Sequence, residues 1–527
     1  MPSELTETLK SAARLLQRGD LSGATATLSS IIDRYPDVGD VWALKGEIAI
    51  REGRMQDALY AVDQAVQLEP NLLDRHLQRA RCYVLAGNTD EARVSATAAL
   101  NFDVTRLDHQ LILGGVLVRC DDHSKALDLY LDAEKQVPDN ADVYRGLASV
   151  YRFLGHIDSA EKACERAIQI DPHDYETIGL RSSLRSQAHD GNHIDQLLAL
   201  EKAGVRHWRG YVHVCYALAK EYEDIGEHQL SFSWLQRGAS TKRTNTRYNV
   251  HDDVKVFSSL KRAFSKETIE SFDDSGDPSE APIFVVGMPR TGSTLVERII
   301  SSHSKVQSCG ELSTFSVEMM NLIERDGQPL KDRLDLALRA TQVSLEEMGA
   351  NYIRSVTPIR DGCPRFVDKL PMNSLNIGLI HGALPNAKII HVVRNPLDAC
   401  YAMYKFLFKN GYPFSYDLQD LATYYAEHYH LMNHWHQVLP ARRIYDIHYE
   451  HVVEDLPGQA RRLIEFLGLP WENECQKFHL NQQVSTTGSA SQVRKPVYSS
   501  SVGKWQRYEN ELKPLRQALE KLGVPTT

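Results

Sequence analysis

The stretch PIFVVGMPRTGSTLVERII, residues 282–300, carries the pattern that decides the fold of the C-terminal half. Its apolar run at 283–286 predicts a buried strand, and apolar residues recur with helical spacing from Leu295 to Ile300. A glycine-containing turn joins the two. Strand, turn and helix in this order are typical of proteins that bind phosphate, because backbone N–H groups and the helix dipole converge on the anion.

The turn begins like a Walker A loop but lacks that loop's lysine. Gly287 and Gly292 have the Walker spacing, yet the next residue is Ser293. A second apolar run, 387–393, predicts another strand, and it is followed by Arg394 where a kinase or NTPase needs an aspartate for Mg²⁺. Arginine suits bidentate capture of a phosphate that carries no metal. The pattern therefore predicts a nucleotide site without Mg²⁺-assisted phosphoryl transfer.

Bulk composition predicts a globular protein of two or more domains. The chain has 527 residues, of which 42% are hydrophobic and 24% charged, and its net charge of −9 argues against nucleic-acid binding. Its eight cysteines include no CxxC pair, which fits a reducing compartment. No secretory signal and no apolar run of about 20 residues is present. We expect a cytoplasmic protein that binds neither nucleic acid nor membrane.

The N-terminal half repeats with a period of 34 residues. The residues in phase are Ala24, Ala58, Ala92, Ala126 and Ala160, preceded five positions earlier by Gly19, Gly53, Gly87, Asp121 and Gly155. A glycine at the turn and a small residue in the second helix, at this period, are typical of tetratricopeptide repeats. We predict an all-α solenoid at 1–245, with five clear repeats over about 5–174 and degenerate repeats to about 245.

Such arrays curve into a concave surface that commonly binds a peptide or protein. The alternative, that the array only supports or dimerises the C-terminal half, stays open, as does a homodimer. Residues 246–281 follow as a bridging helix and linker, because Val254, Phe257, Leu260 and Phe264 have helical spacing and a stretch rich in Asp, Ser, Gly and Pro comes next.

Residues 282–527 alternate strand and helix, with a third strand predicted at 442–450. This alternation predicts an α/β domain with a mostly parallel sheet and helices on both faces. Ligands of such sheets bind at the carboxyl ends of the strands. The residues that follow the strands there are the turn at 290–294, Arg394 and Tyr449.

Five motifs in order resemble the sulfotransferases that use 3′-phosphoadenosine 5′-phosphosulfate (PAPS). They are GMPRTGSTLVERII, FVDKLPMN, IIHVVRNPLDACYAMY, IHYEHVVED and SASQVRKPVYSSSVGKWQRYE. The similarity is to bacterial tetratricopeptide-repeat sulfotransferases and to the P-loop-like catalytic domain of protein-tyrosine sulfotransferases, from about residue 282 to the C-terminus. It implies sulfuryl transfer from PAPS, without a metal, to a hydroxyl acceptor such as a protein or peptide tyrosine, with release of adenosine 3′,5′-bisphosphate.

The resemblance also implies roles for residues at the transferred group. The loop that holds the 5′-phosphosulfate corresponds to Arg290, Thr291, Gly292, Ser293 and Thr294. Glu311 matches the catalytic base, which removes the proton of the acceptor hydroxyl. Lys369 and Arg290 match the residues that stabilise charge on the sulfuryl group and the leaving phosphate.

At the other end of the nucleotide the match is incomplete. Arg394 matches the arginine that binds the 3′-phosphate, but the family's companion serine, eight residues later, is Ala402 in this chain. Arg394 itself, Tyr401 or Lys405 could compensate for the missing hydroxyl, and the sequence leaves this choice open.

Three further donor contacts come from the same resemblance. Tyr449 matches a tyrosine near the nucleotide, and Lys504 ends the late loop that closes over it. The family's catalytic serine falls in register at Ala490, so we assign the contact to Ser489, with Ser491 as the alternative.

Two other functions compete with sulfuryl transfer. An atypical P-loop kinase is opposed by the missing lysine after Gly292 and by Arg394. A repeat-based binding protein with an inactive sulfotransferase domain is favoured only by Ala402.

A histidine-rich segment at 424–439 suggests a metal site as well. His430 and His434 are spaced i, i+4 and could share a metal, but the segment is aromatic and amphipathic. We favour a structural helix there and predict no metal site.

Overall fold

The computed structural model describes residues 3–272, 275–325, 327–409, 411–481 and 496–526. The chain forms two compact units, Met1–Asp171 and Pro172–Thr527. The predicted domain limits at residues 245 and 281 stay a prediction.

The first unit is built from pairs of antiparallel helices. In its described part the helices are α1 (Ser3–Gln17), α2 (Leu21–Ile32), α3 (Gly39–Glu52), α4 (Met55–Leu68), α5 (Leu73–Leu85), α6 (Thr89–Ala99), α7 (Leu107–Arg119), α8 (His123–Gln136), α9 (Ala141–Leu154) and α10 (Ile157–Ile170). Each consecutive pair spans one 34-residue period. The described helices of this unit thus form five such pairs, which confirms the prediction of an all-α repeat region.

The phase residues do what the repeat requires of them. All five in-phase alanines are fully buried, where a small side chain lets paired helices approach closely. The turn position before each has positive φ, and Asp121 keeps this conformation at φ 67° although it is not glycine. Aspartate is among the few residues that tolerate the left-handed region, so the fourth repeat keeps its turn.

Tyr130, on α8, fills the space between two neighbouring helices. Its side chain is 5% exposed, and a Cβ added at Gly146 of α9 would lie 2.3 Å from its Cε1 atom. A Cβ at Gly114 of α7 would lie 2.8 Å from its Cζ atom. The ring of Tyr130 therefore fits between the helices because Gly114 and Gly146 have no side chain.

The second unit begins with six helices in its described part. They are α11 (Tyr175–Leu184), α12 (Ile194–Ala203), α13 (Trp208–Asp224), α14 (His228–Thr244), α15 (Val250–Ala263) and α16 (Lys266–Glu270). The prediction of a single bridging helix within 246–270 is wrong in one respect, because two helices, α15 and α16, occupy this stretch. The break falls at Ser265, whose hydroxyl accepts the Thr268 N–H and so starts a new helix.

A parallel sheet of five strands follows among the described residues. The strands are β1 (Pro282–Gly287), β2 (Val306–Ser308), β3 (Arg365–Asp368), β4 (Lys388–Val393) and β5 (Ile444–His448). Their order is β2-β3-β1-β4-β5, and every pair is parallel. This confirms the α/β prediction and adds two short strands, β2 and β3, that the sequence did not reveal.

Helices cover both faces of the sheet. In the described part they are α17 (Ser293–Ser301), α18 (Thr314–Glu324), α19 (Arg333–Ala340), α20 (Leu345–Val356), α21 (Ile377–Ala383), α22 (Pro396–Tyr404), α23 (Leu418–Val438), α24 (Tyr449–Glu454), α25 (Leu456–Phe466) and α26 (Lys513–Lys521). Ile283 of β1 belongs to a buried cluster with Val296 of α17 and Leu463 of α25. Phe284, the next residue, packs on Tyr352 of α20 across the other face.

Among the described residues, no helix combines the length and the apolarity that crossing a membrane would take.

We expect Gly146→Ala to lower the free energy of unfolding by about 1–3 kcal/mol, because the new methyl group overpacks the ring of Tyr130. The control is Gly115→Ala on α7, whose Cβ would meet only the Tyr130 hydroxyl oxygen at 4.0 Å. It should raise stability by up to about 1 kcal/mol through helix propensity. Urea denaturation of the full chain measures both, and a gain in both variants contradicts the packing argument.

Candidate functional site

The turn between β1 and α17 is shaped by two glycines. Gly292 has φ 104°, and a Cβ on it would lie 2.4 Å from Cδ2 of Tyr449, so a larger residue would displace that ring. Gly287 has φ 146°, and a Cβ on it would lie 2.8 Å from the Val392 carbonyl oxygen of β4. The Thr291 hydroxyl donates to the Met288 carbonyl at 2.7 Å and closes the turn. The first N–H groups of α17 start directly after it, as an anion site requires.

Two guanidinium groups lie at this turn. The guanidinium carbon of Arg290 is 4.5 Å from the ring centroid of Phe406, and that of Arg394 is 4.8 Å from the ring centroid of Tyr449. Arg394 Nη1 donates to the Arg290 carbonyl at 3.0 Å. Burial, and then repulsion by Arg394, lowers the pKa of Arg290 to about 10, which still leaves it protonated at neutral pH. An anion at this turn would relieve the repulsion between the two cations.

Arg394 also holds the last described segment of the chain. Its Nη2 atom donates to the Ser501 carbonyl at 2.6 Å, and the Ser501 hydroxyl shares a 2.6 Å hydrogen bond with that of Tyr449. The buried carboxylate of Asp398 accepts the Gly503 N–H at 2.6 Å. The Nε atom of Arg394 is buried and, among the described residues, has no hydrogen-bond partner. One donor of this arginine is therefore left for a ligand.

Glu311, which follows β2, and Lys369, which follows β3, form an ion pair. The Lys369 side chain is 1% exposed, and its ammonium group donates to the Glu311 carboxylate, which is 45% exposed. Burial acts to lower the pKa of Lys369, but the charges of Glu311 and the buried Glu297 outweigh it, so the pKa is raised. The lysine thus stays charged, and the carboxylate keeps one side open to an incoming group.

This ion pair and the turn lie at the same edge of the sheet. β1 and β3 are parallel neighbours, with Phe284 opposite Asp368, so the residues that follow both strands emerge together. Glu297, one turn into α17, lies close enough to Lys369 for their charges to interact. Asp368 is fully buried and bonded to the Tyr352 hydroxyl at 3.0 Å, which fixes the end of β3. Burial raises the pKa of Asp368 to about 7.

Aromatic side chains extend from Arg290 towards Glu311. Phe406, which contacts the Arg290 guanidinium, lies 4.8 Å from Phe408 between ring centroids, and Phe408 lies 4.8 Å from Tyr412. Burial, and then the charge of Glu311, raises the pKa of Tyr412. A largely apolar wall, formed by Phe406, Phe408 and Tyr412, therefore runs between Arg290 and Glu311.

A third cluster centres on Glu223, in the last turn of α13. Its side chain is 9% exposed and accepts hydrogen bonds from Tyr401 Oη at 2.6 Å, Lys405 Nζ at 2.7 Å, Lys504 Nζ at 2.9 Å and Tyr508 Oη at 3.1 Å. Burial would raise the pKa of Glu223, but the two lysines outweigh it and the pKa is lowered. The carboxylate is therefore ionised and ties α13 to α22 and to the segment that contains Lys504.

The structure thus groups the predicted site residues in three places. Arg290, Arg394 and Tyr449 surround the turn, and Glu311 pairs with Lys369 at the same sheet edge. Lys504 instead points to Glu223. Ser489 and Ser491 lie outside the described residues.

The residues of these clusters that the sequence did not reveal include Glu297, Asp398 and Glu223. Glu297 and Asp398 lie near the starts of the helices that follow β1 and β4, so inspection of those helix starts would have found them. Glu223 had no such signal, because its partners are 178 or more residues away.

The two histidines that their spacing pairs, His430 and His434, are directed at different backbone groups. In α23, His430 Nε2 lies 2.9 Å from the Leu522 carbonyl oxygen, and His434 Nε2 lies 2.9 Å from that of Phe264. Each ring nitrogen is directed at a different carbonyl, so the two do not converge on a shared metal.

Family models match both parts of the chain. Residues 282–473 match the model of the sulfotransferase family. Residues 9–72, 49–104 and 141–174 match tetratricopeptide-repeat models. The chain therefore carries tetratricopeptide repeats followed by a sulfotransferase domain, as the sequence motifs predicted.

Individual proteins are similar to different lengths of this chain. An uncharacterised protein of Aquifex aeolicus is 29% identical over 420 residues, 78% of this chain and 54% of that protein. Protein-tyrosine sulfotransferase A of Caenorhabditis elegans is 24% identical over 252 residues, 46% of this chain and 65% of that protein. The sulfotransferase domain of the Synechococcus PCC 7002 olefin synthase matches with a TM-score of 0.35 and 17% identity, over 48% of this chain and 98% of that one. The chain spans between about half and two thirds of the length of these two curated relatives.

We expect Glu223→Gln to lower the free energy of unfolding by about 3 kcal/mol, because two lysines lose the charge that compensates their burial. The control is Glu227→Gln, an exposed residue at the start of α14, which should change stability by less than about 0.5 kcal/mol. Chemical denaturation of the full chain at neutral pH compares them. Equal effects in the two variants would show that the buried cluster adds no stability.

Proposed function

We propose that this chain, which joins tetratricopeptide repeats to a sulfotransferase-family domain, transfers a sulfuryl group from PAPS to a hydroxyl acceptor. The observation that supports this most directly is the Glu311–Lys369 pair beside the turn that carries Arg290 and Arg394. A carboxylate that can take a proton and a lysine that can stabilise a leaving oxygen then lie at one sheet edge with an anion site.

The donor would be held from two sides. The turn 290–294 offers backbone N–H groups and the hydroxyls of Ser293 and Thr294 to the 5′-phosphosulfate. Arg394, with its buried Nε atom unpaired among the described residues, offers a charged donor to the 3′-phosphate. Because Arg394 also holds Ser501 and Tyr449, binding there would order the late segment around the nucleotide. In our proposal Lys504 holds the segment around Ser501 in place through its hydrogen bond to Glu223. Ser489 stays a proposed contact to the donor nucleotide.

The chemical step is an in-line displacement at sulfur. The acceptor oxygen forms a bond to sulfur while the bond from sulfur to the bridging phosphate oxygen breaks, and its electron pair leaves with adenosine 3′,5′-bisphosphate. Glu311 accepts the proton of the attacking hydroxyl. Lys369 and Arg290 stabilise the charge that develops on the bridging oxygen and the sulfuryl group. The chain's own residues supply each of these roles in the proposal, which needs no metal ion.

We propose a phenolic acceptor, with tyrosine of a protein or peptide as the leading case. The wall of Phe406, Phe408 and Tyr412 supports this, because it runs between Arg290 and the base Glu311 and would pack an aromatic ring. Aliphatic hydroxyls gain less from such a wall.

The repeats offer a groove for a peptide. A cavity of about 580 Å³ in the first unit is lined by first helices of successive repeats. Thr6, Asp40, Asp74 and Asp108 recur along it every 34 residues. Such periodic polar positions suit an extended chain, so we propose that this groove binds a protein or peptide partner. A homodimer built through the repeats stays an alternative.

We also propose a cytoplasmic location. None of the eight cysteines forms a disulfide, and six of them are buried; the six are Cys82, Cys120, Cys164, Cys215, Cys400 and Cys475. Eight cysteines without a disulfide fit a reducing compartment.

The donor assignment is tested by calorimetric titration of the full chain with adenosine 3′,5′-bisphosphate and, separately, with ATP and Mg²⁺. We expect the bisphosphate to bind with or without a chelator and ATP to bind far more weakly, because Arg394 replaces the metal-binding aspartate. Binding of ATP that depends on Mg²⁺, without binding of the bisphosphate, would favour the kinase alternative and end this proposal.

The role of Glu311 is tested by Glu311→Gln. We expect the variant to bind the bisphosphate like the wild type and to lose transfer by about 10²–10⁴-fold, because the amide cannot take a proton. Transfer of labelled sulfate from PAPS to a tyrosine-containing peptide library measures it. Glu346→Gln, an exposed position on α20, should keep full activity. Full activity in Glu311→Gln would remove this residue as the base.

A further inference from the structure

A separate cluster of histidine and aspartate side chains that can bind a metal ion lies on the sheet. It is away from the strand ends, where the candidate anion site lies. His391 is in the middle of β4, Asp446 in the middle of β5 and His436 on α23. His391 Nδ1 is 2.8 Å from Asp446 Oδ1, and His436 Nε2 is 3.0 Å from Asp446 Oδ2. One potential ligand atom from each residue lies within 4.8 Å of the other two.

Three ordered elements hold these side chains in place. His391 and Asp446 are register partners on adjacent parallel strands, so their side chains project from the same face. α23 passes over this face and brings His436 to the carboxylate. Ligands on strands and a helix are held more accurately than ligands on loops, so little movement is needed to close around an ion.

The donor set has a definite preference among metals. Two imidazole nitrogens and one carboxylate suit zinc and similar transition metals, whereas Mg²⁺ and Ca²⁺ prefer oxygen ligands throughout. In tetrahedral sites of this kind a fourth position is left to water or another ligand.

The carboxylate of this cluster is surrounded by imidazole rings. Among the residues that the structure describes, the hydrogen bonds and ion pairs of the Asp446 carboxylate go to imidazoles alone and to no lysine or arginine. His428 lies beside the cluster, with its ring centroid 5.8 Å from that of His391. Its side chain is 4% exposed, and its Nε2 atom has no hydrogen-bond partner within the described residues. A buried imidazole with an unused nitrogen is thus a further candidate donor next to the site.

We propose that His391, His436 and Asp446 bind one divalent transition-metal ion of the zinc type. The ion joins β4, β5 and α23 and pins the edge strand β5 to the helix that covers it. This site is independent of the donor site, since its three ligands are neither the residues assigned to PAPS nor the Glu311–Lys369 pair.

The test uses the full chain after treatment with a chelator and dialysis, titrated calorimetrically with Zn²⁺, and with Co²⁺ as a spectroscopic probe. We expect one equivalent of Zn²⁺ to bind and to raise the thermal midpoint, with Co²⁺ giving a visible absorption of tetrahedral intensity. His436→Gln and Asp446→Asn should each weaken Zn²⁺ binding at least about 100-fold, since even loss of an indirect partner costs 10–100-fold.

The matched control is His430→Gln with His434→Gln on the same helix, which should bind Zn²⁺ like the wild type. His436 is partly exposed on the helix surface, so its variant decides the question if Asp446→Asn does not fold. Wild-type protein that binds no Zn²⁺, or His436→Gln that binds it as tightly as the wild type, would show that the cluster is an ion-paired triad and overturn the proposal.

Discussion

The second unit depends on one buried carboxylate, that of Glu223. An ionised acid with so little exposure is costly to remove from water, and it is tolerated only because two ammonium groups and two phenolic hydroxyls satisfy it. Since those partners lie on α22 and near the C-terminus, α13 cannot leave the sheet domain without exposing or unpairing buried charge. α13 accordingly belongs to the same compact unit as the strands, although it precedes the first strand in the sequence.

A second constraint is the parallel arrangement of the strands. The carboxyl ends of all five described strands point to one edge, so short segments that are distant in sequence meet there. Arg394 uses this arrangement twice, because it follows β4 and can reach both the turn after β1 and the segment at Ser501. Arg394, which the sequence assigns only to the 3′-phosphate, therefore also connects the turn after β1 to the segment at Ser501.

The sequence predicts an element when its apolar pattern is long enough to recognise, and it does not predict contacts between residues that are distant in the chain. Helical repeats and the strands β1, β4 and β5 have apolar patterns long enough to recognise. β2 and β3, of three and four residues, are too short for any periodicity, although Lys369 directly after β3 could still be assigned by its motif. The break at Ser265 was missed because a hydroxyl cap interrupts a helix without interrupting its apolar spacing. Glu223 was missed because nothing in its neighbourhood in the sequence differs from an ordinary solvated helix end.

The histidines of α23 also show that spacing within one helix does not reveal contacts with other elements. Spacing along α23 groups His430 with His434, because i and i+4 share a helix face, but both of these rings are directed at backbone carbonyls. The residue of the same helix that approaches a possible metal site is His436, and its companions His391 and Asp446 come from two strands. Strand register, which no helical period can encode, brings them together. A ligand pattern within one element therefore says less about metal binding than the positions where a helix crosses paired strands.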